Sequence, residues 1–223
     1  MEQIDTGMLS PRQKLPAERK LAESFKTTRV TLREALSLLE AEGRIYREDR
    51  RGWFISPTPL CYDLEHFCDF SIMAKAQGFT PEIQLVRAKT LLANKHASKL
   101  LGLSPFSDIH SIERICYLNQ RPVMYVISYV CPEQCPNLLE FDLSQSLTNL
   151  YHQQYGLHDQ TTRYRFSIQT LQGEVAQLLR ATPGAPAMVI EHIRCSANGL
   201  VFGCDIEYWR HDALIVESKS ATA

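Results

Sequence analysis

Arg29 and Arg33 stand four residues apart, with Thr28 and Thr31 beside them. On a helix that spacing puts both guanidinium groups one turn apart on one face. Arginines and hydroxyls in the first turns of an exposed helix can hydrogen-bond base edges in a DNA major groove. A second set of residues lies far downstream. Arg114 is the one charge on the strand face Ile112, Arg114, Cys116, Leu118. A guanidinium there needs a carboxylate, a phosphate-like anion or carbonyl groups, because an unpaired buried charge is very costly. Asp205 and Glu207 share the opposite strand face from Ile206, next to Trp209. Two carboxylates beside an aromatic ring suit an ammonium group. Each feature also has a plain structural reading: a solvated helix face, a salt bridge at Arg114, and carboxylates paired with ordinary Lys or Arg side chains.

The elements needed to position the first set are legible. Pro16 opens a helix to Phe25, since the first helical N–H needs no partner. Thr27 or Thr28 caps a second helix that reaches Glu42 and stops at Gly43. Leu32, Ala35, Leu36 and Leu39 form its apolar stripe, with Arg29 and Arg33 on another face. Arg44–Arg47 and Trp53–Ile55 follow as two short strands around the charged turn Glu48-Asp49-Arg50-Arg51-Gly52. Helix, tight connection, helix and small hairpin make a winged helix-turn-helix. The leading segment Glu2–Gly7 supplies no more than one helical turn.

Ser56–Asp63 holds two prolines and reads as an interdomain linker. Beyond it come helices at Glu65–Gln77, His96–Leu101, Ser146–Tyr155 and Gly173–Arg180. Strands are expected at Glu82–Leu92, Asp108–Leu118, Val123–Val130, Thr162–Leu171, Ala187–Ser196, Leu200–Arg210 and Leu214–Glu217. Asn198-Gly199 is a strong hairpin signal. Hairpin-joined strands with helices inserted between pairs predict an antiparallel α+β domain. The expected division is 1–56 for DNA binding, 57–64 as linker and 65–223 as a second, α+β domain, which the family resemblance given below implies to be effector-binding and dimerising.

The chain has 223 residues, a formal net charge of −1 and 44% hydrophobic residues, enough for a proper core. Charge is unevenly spread: from Arg19 to Arg33 there are five basic residues and one acidic one, the footprint of phosphate contact. No apolar run is long enough to span a bilayer, and no signal segment precedes the first motif. The seven cysteines are odd in number and irregularly spaced, which fits free thiols in a reducing cytoplasm better than zinc ligands. No metal or cofactor is expected. The histidines are scattered outside any catalytic motif.

LPAERKLAESF, TRVTLREALSLLEAEGRI and RRGWF together resemble the GntR family of bacterial repressors. That resemblance implies DNA contacts from Arg19, Thr28, Arg29, Thr31 and Arg33, with Arg51 and Gly52 at the wing tip. QGFTPEIQLV, SIERICYLNQRPVMYVISYV and EYWRHDALIV resemble the UTRA effector domain of the HutC-type subfamily, which shares the chorismate-lyase fold. In UTRA relatives the arginine at the position of Arg114 binds the anionic part of the effector. Arg165 and Ser167, from a strand expected to be adjacent, then assist. DIEYWRHDAL also looks like the phosphonate-utilisation regulators, which implies a zwitterion of the 2-aminoethylphosphonate type with Asp205, Glu207 and Tyr208 at its other end. The resulting expectation is a cytoplasmic, ligand-responsive repressor that binds a pseudo-palindromic double-stranded operator as a homodimer. The alternatives are an enzyme of chorismate-lyase-like fold and a non-specific architectural DNA binder. The near-neutral total charge speaks against the last.

Overall fold

The protein is described by a computed structural model, which covers residues 2–48, 50–64, 69–158 and 161–218. The first helices form where capping chemistry places them. Helix α2 spans Glu18–Ser24 and α3 spans Arg29–Ala41. Thr28 caps α3: its side chain accepts a 3.2 Å hydrogen bond from the Thr31 N–H, which satisfies one of the otherwise unpaired first-turn donors. After α3 the chain reverses at Gly43, in the left-handed region at φ +70. Glycine suits this position because it adopts that region at no steric cost. Strands β1 (Ile45–Glu48) and β2 (Gly52–Ile55) pair antiparallel, with Arg47 opposite Trp53. Ala22, Leu32, Leu36, Ile45, Trp53 and Ile55 close the small core. The leading helix α1 is only Glu2–Asp5. Beside it, Ile4, Leu9, Leu21, Leu32 and Leu36 help line an open apolar groove of about 660 Å³.

The chain divides into two compact units, one of 1–66, 170–187 and 210–223, the other of 67–169 and 188–209. The first unit therefore holds more than the winged helix. The segment expected as a linker is structured: β3 (Leu60–Asp63) pairs parallel with β10 (Leu214–Glu217), Leu60 opposite Leu214. Leu60 and Tyr62 point inward at period two, a signal that the flanking prolines obscured. Around this pairing the 210–212 segment packs on the DNA-reading elements. The Asp212 carboxylate accepts from Arg210 Nε at 3.3 Å and from Ser56 Oγ at 3.3 Å. Arg210 also donates to the Leu179 carbonyl at 2.9 Å and lies over the Tyr46 ring. The His211 ring touches the carbonyls of Glu40 and Pro186 through its two nitrogens. Helix α7 (Gly173–Leu178) completes this unit.

The second unit is built on a six-stranded sheet. Its strands are β4 (Pro81–Leu92), β5 (Asp108–Leu118), β6 (Arg121–Val130), β7 (Thr161–Thr170), β8 (Pro186–Cys195) and β9 (Val201–Arg210), in spatial order β4-β5-β6-β9-β8-β7. Pairing is antiparallel from β4 through β9. The expected α+β architecture holds. The β5–β6 turn is tighter than expected: Asn119 and Gln120 both take positive φ, and β6 begins at Arg121. Each face of the sheet carries a core. On one face α5 (Lys95–Leu101) packs through Ala97 and Leu101 on Tyr129, Val189, Ile193, Cys204 and Ile206. On the other, α6 (Leu147–Tyr155) and the 3₁₀ turn Leu138–Glu140 pack on Ile112, Val130 and Phe202. Ser146 caps α6 by accepting from the Asn149 N–H. Helix α4 runs Phe70–Ala76; the expected start at Glu65 lies outside the described residues.

Candidate nucleic-acid interface and effector site

The α3 N-terminus, α2 and the wing carry the expected DNA residues. Arg29 opens α3, exposed and without a hydrogen bond or ion pair among the described residues. Thr28 spends its hydroxyl on the cap and lies 3.0 Å from the Thr31 hydroxyl. Arg33 donates from Nε to Glu18 at 2.7 Å, yet its side chain is 67% exposed. Arg19 pairs loosely with Glu23 one turn on, both exposed, so that ion pair adds little stability and releases readily. Arg51 does not project freely from the wing tip: it pairs with Glu48 and lies over the Phe54 ring. Gly52 takes φ +101.

Three basic residues at the wing escaped the sequence reading. Lys14, Arg47 and Arg50 line a pocket of about 440 Å³ with Glu18, Arg51 and Trp53. Arg47 sits 5.7 Å from the Trp53 ring centroid, held by its cross-strand register. That register was the one available signal. Val30, which departs from the family pattern where many relatives carry Thr, is 68% exposed at the start of the reading helix, where an apolar group can meet a thymine methyl.

In the second unit, strand alternation sorts the expected effector residues onto two faces. Arg114, Asp205 and Glu207 lie on the α6 face. The cross-strand register places Arg114 opposite Val126 and Val126 opposite Glu207, so the three form one row across β5, β6 and β9. Arg165 and Ser167 belong elsewhere. Their strand, β7, is an edge strand separated from β5 by β6, β9 and β8, not its neighbour. Arg165 pairs on the α5 face with Glu191, which also holds His96. Tyr208 likewise packs on the α5 face. The six residues therefore do not line one pocket; a single strand's alternation cannot reveal which strands become neighbours.

The α6 face is rich in charge. Asp205 is held by Arg194 and the Ser128 hydroxyl, with His192 at 3.8 Å. Burial pushes its carboxyl up, but Arg194, His192, Ser128 and Arg114 outweigh that and hold it below the usual range. Burial also drives His192 down to about 3, so its ring is neutral and stacks on Tyr164. Arg114 is different. It is 8% exposed and donates to the Gln145 carbonyl at 3.1 Å, while its Nε has no hydrogen-bond partner among the described residues. No carboxylate among the described residues lies within ion-pair distance of it. Glu207 is its counterpart: the carboxylate accepts from Trp209 Nε1 at 2.7 Å and has no cationic partner among the described residues. Burial above all, with the Asp205 charge, pushes Glu207 up to about 7 against the pull of Trp209, Arg194 and Arg114. One buried cation and one buried acid, neither in an ion pair among the described residues, thus flank Val126.

A winged helix with an exposed arginine-bearing second helix, followed by a sheet domain with a charged buried row, defines a DNA-binding regulator carrying a small-molecule sensor domain. Residues 1–55 match the model of the bacterial regulatory proteins of the gntR family, and residues 76–214 match the UTRA domain. The chain belongs to the GntR family of bacterial regulators, in its UTRA-containing branch. It is 31% identical over 212 residues to the uncharacterized HTH-type transcriptional regulator YihL of Escherichia coli strain K12, covering 95% of this chain and 90% of that one. It is 29% identical over 200 residues to the HTH-type transcriptional repressor NagR of Bacillus subtilis strain 168, covering 90% and 82%. The crystal structure of PhnF from Mycobacterium smegmatis matches its fold with a TM-score of 0.71 at 22% identity, covering 100% of this chain and 97% of that one. The chain is a transcriptional regulator that binds DNA and a small effector, not an enzyme. Among the described residues no helix is long and apolar enough to cross a membrane.

Proposed function

We propose that the protein is a homodimeric, cytoplasmic repressor released from a pseudo-palindromic operator by a short zwitterionic effector of the 2-aminoethylphosphonate type. The observation that carries the effector class is the Arg114 guanidinium, buried with one carbonyl contact and, among the described residues, no acid within ion-pair distance. A buried cation in that state calls for an anion. Phosphonate matches the fork of its remaining N–H donors. Glu207, two strands away in the same row, is the partner for an ammonium end. Neighbouring strands lie about 4.8 Å apart, so the row suits a molecule only a few bonds long. Asp205, already satisfied by Arg194, orders the site rather than touching the effector. Arg29, Thr31, Val30 and Arg33 would read bases, while Arg19, Lys14, Arg47 and Arg50 would meet phosphates. A two-fold dimer would then present two such heads to two half-sites.

The test is thermal unfolding and operator binding with 2-aminoethylphosphonate, ethylphosphonate and ethylamine as separate probes. Ligand binding raises the melting temperature by mass action. The zwitterion should stabilise most and weaken operator binding, the phosphonate alone less, the amine alone hardly at all. Stabilisation by the amine alone would refute the assignment of Arg114 as the anion holder.

A further inference from the structure

Glu18 is an acid in a surface built for phosphate. Such a residue repels DNA unless its charge is spent on something else. It is the first residue of α2, and its carboxylate makes two bonds to two different elements. One oxygen accepts from Arg33 Nε of the reading helix at 2.7 Å, the other from Trp53 Nε1 of wing strand β2 at 3.2 Å. The side chain is 22% exposed, whereas Arg33 is 67% exposed. The carboxylate sits inside the interface and the guanidinium stands in front of it. Arg33 spends only its Nε–H on this bond; among the described residues its two Nη groups carry no hydrogen bond. Those Nη donors are the ones free to meet an acceptor on the DNA, and their plane is fixed by the anchored Nε.

We propose that Glu18 is a specificity-determining positioning residue: one carboxylate sets the orientation of Arg33 and the register of the wing against the reading helix. The reasoning is geometric. An exposed arginine has four rotatable side-chain bonds and loses much entropy when it docks on a base. Anchoring Nε removes most of that freedom before DNA arrives, so the discriminating contact forms with less loss. The Trp53 bond extends the same constraint to the wing, next to Arg51 and Gly52. Glu18 itself touches no DNA. The Arg33 hydrogen bond is also the largest cause of its lowered carboxyl pKa, so it stays ionised near neutrality.

The inference rests on the reading of Arg33 as a base contact, and the experiment keeps the two apart. The full chain and its Glu18→Gln, Glu18→Ala, Arg33→Ala and Glu18→Ala/Arg33→Ala variants are used to select sites from randomised duplex DNA, and binding is then measured against salt. Arg33→Ala should relax preference at one base pair per half-site. Glu18→Ala should relax the same base pair, by about tenfold in discrimination. The double variant should lose no more than Arg33→Ala alone, since the two act as a unit. The salt slope should stay at the wild-type value in the Glu18 variants, because no phosphate contact is removed. Glu18→Gln keeps an acceptor for Trp53 but not the charge for Arg33, so it should show most of the relaxation with an unaltered fold. If Glu18→Ala unfolds, Glu18→Gln carries the test. Relaxation in Arg33→Ala with none in the folded Glu18 variants overturns the positioning role alone. Uniform weakening on every sequence in the Glu18 variants overturns it too, leaving a fold contact. No relaxation in Arg33→Ala overturns the base-contact reading and this inference with it.

Discussion

Arg194 donates from Nε at 2.9 Å and from Nη2 at 2.7 Å to the same oxygen of Asp205. That arrangement consumes the acid nearest in kind to what Arg114 would need. The two arginines share a sheet face; Asp205 makes its ion pair with Arg194, while Arg114 acts on it only at longer range. Arg114 has the Gln145 carbonyl as its hydrogen-bond partner among the described residues.

Arg114→Ala should abolish the response to effector and leave operator binding nearly intact, since the charge belongs to the sensor domain. Coupling between effector and operator sites is expected at about 1–3 kcal/mol, or five- to 150-fold in affinity. Operator affinity of wild type and variant, each with and without 2-aminoethylphosphonate, measures it. A variant that still responds with unchanged effector affinity would return Arg114 to a purely structural role.

Glu207 gives stability a pH dependence of known sign. Its carboxyl titrates ordinarily at 4.5 and here at about 7. The folded protein thus holds a proton that the unfolded chain has already released. The contribution of neutral Glu207 is full below about pH 4.5 and is lost as pH rises through about 7. Glu207→Gln should flatten this decline and gain on the order of 2–3 kcal/mol over wild type at pH 8. Thermal melts of both proteins from pH 5 to pH 8 would show the two curves converging at low pH; parallel curves would count against a proton on Glu207.

The Arg29 side chain makes no hydrogen bond or ion pair among the described residues, so its loss should harm binding without harming the fold. Arg29→Ala is expected to cost about 1–3 kcal/mol of specific binding, with relaxed preference at the contacted base. Equal weakening on all sequences, with a shallower salt slope, would make it a phosphate contact instead.

Asp212 binds Arg210 and Ser56, and its side chain is fully buried. Removing it takes away the buried carboxylate that accepts from Arg210 Nε. Asp212→Ala should destabilise the first compact unit by about 3–5 kcal/mol. Amide exchange should then accelerate in Ile45–Ile55 more than in β5 and β6. Unchanged protection in the winged helix would show that the 210–212 segment does not support it.

The sequence by itself determined the local objects. Thr28 and Gly43 bound the reading helix because a cap hydroxyl and a left-handed stop act within a few residues. The alternation Ile112, Arg114, Cys116 gave one strand face correctly, and Asp205 with Glu207 another, because side-chain direction in a strand is a property of the strand alone. Tertiary structure decided which faces meet. It carried β7 to the far edge of the sheet, removing Arg165 and Ser167 from Arg114, and it gave Asp205 to Arg194. It turned Leu60–Asp63 from an expected linker into a strand on the chain's last β-segment. It also joined Arg33 to Trp53 through Glu18, residues with no sequence periodicity in common. These are choices of partner between segments distant in the chain, made by packing and charge neutralisation in three dimensions, and no pattern within a single segment encodes them.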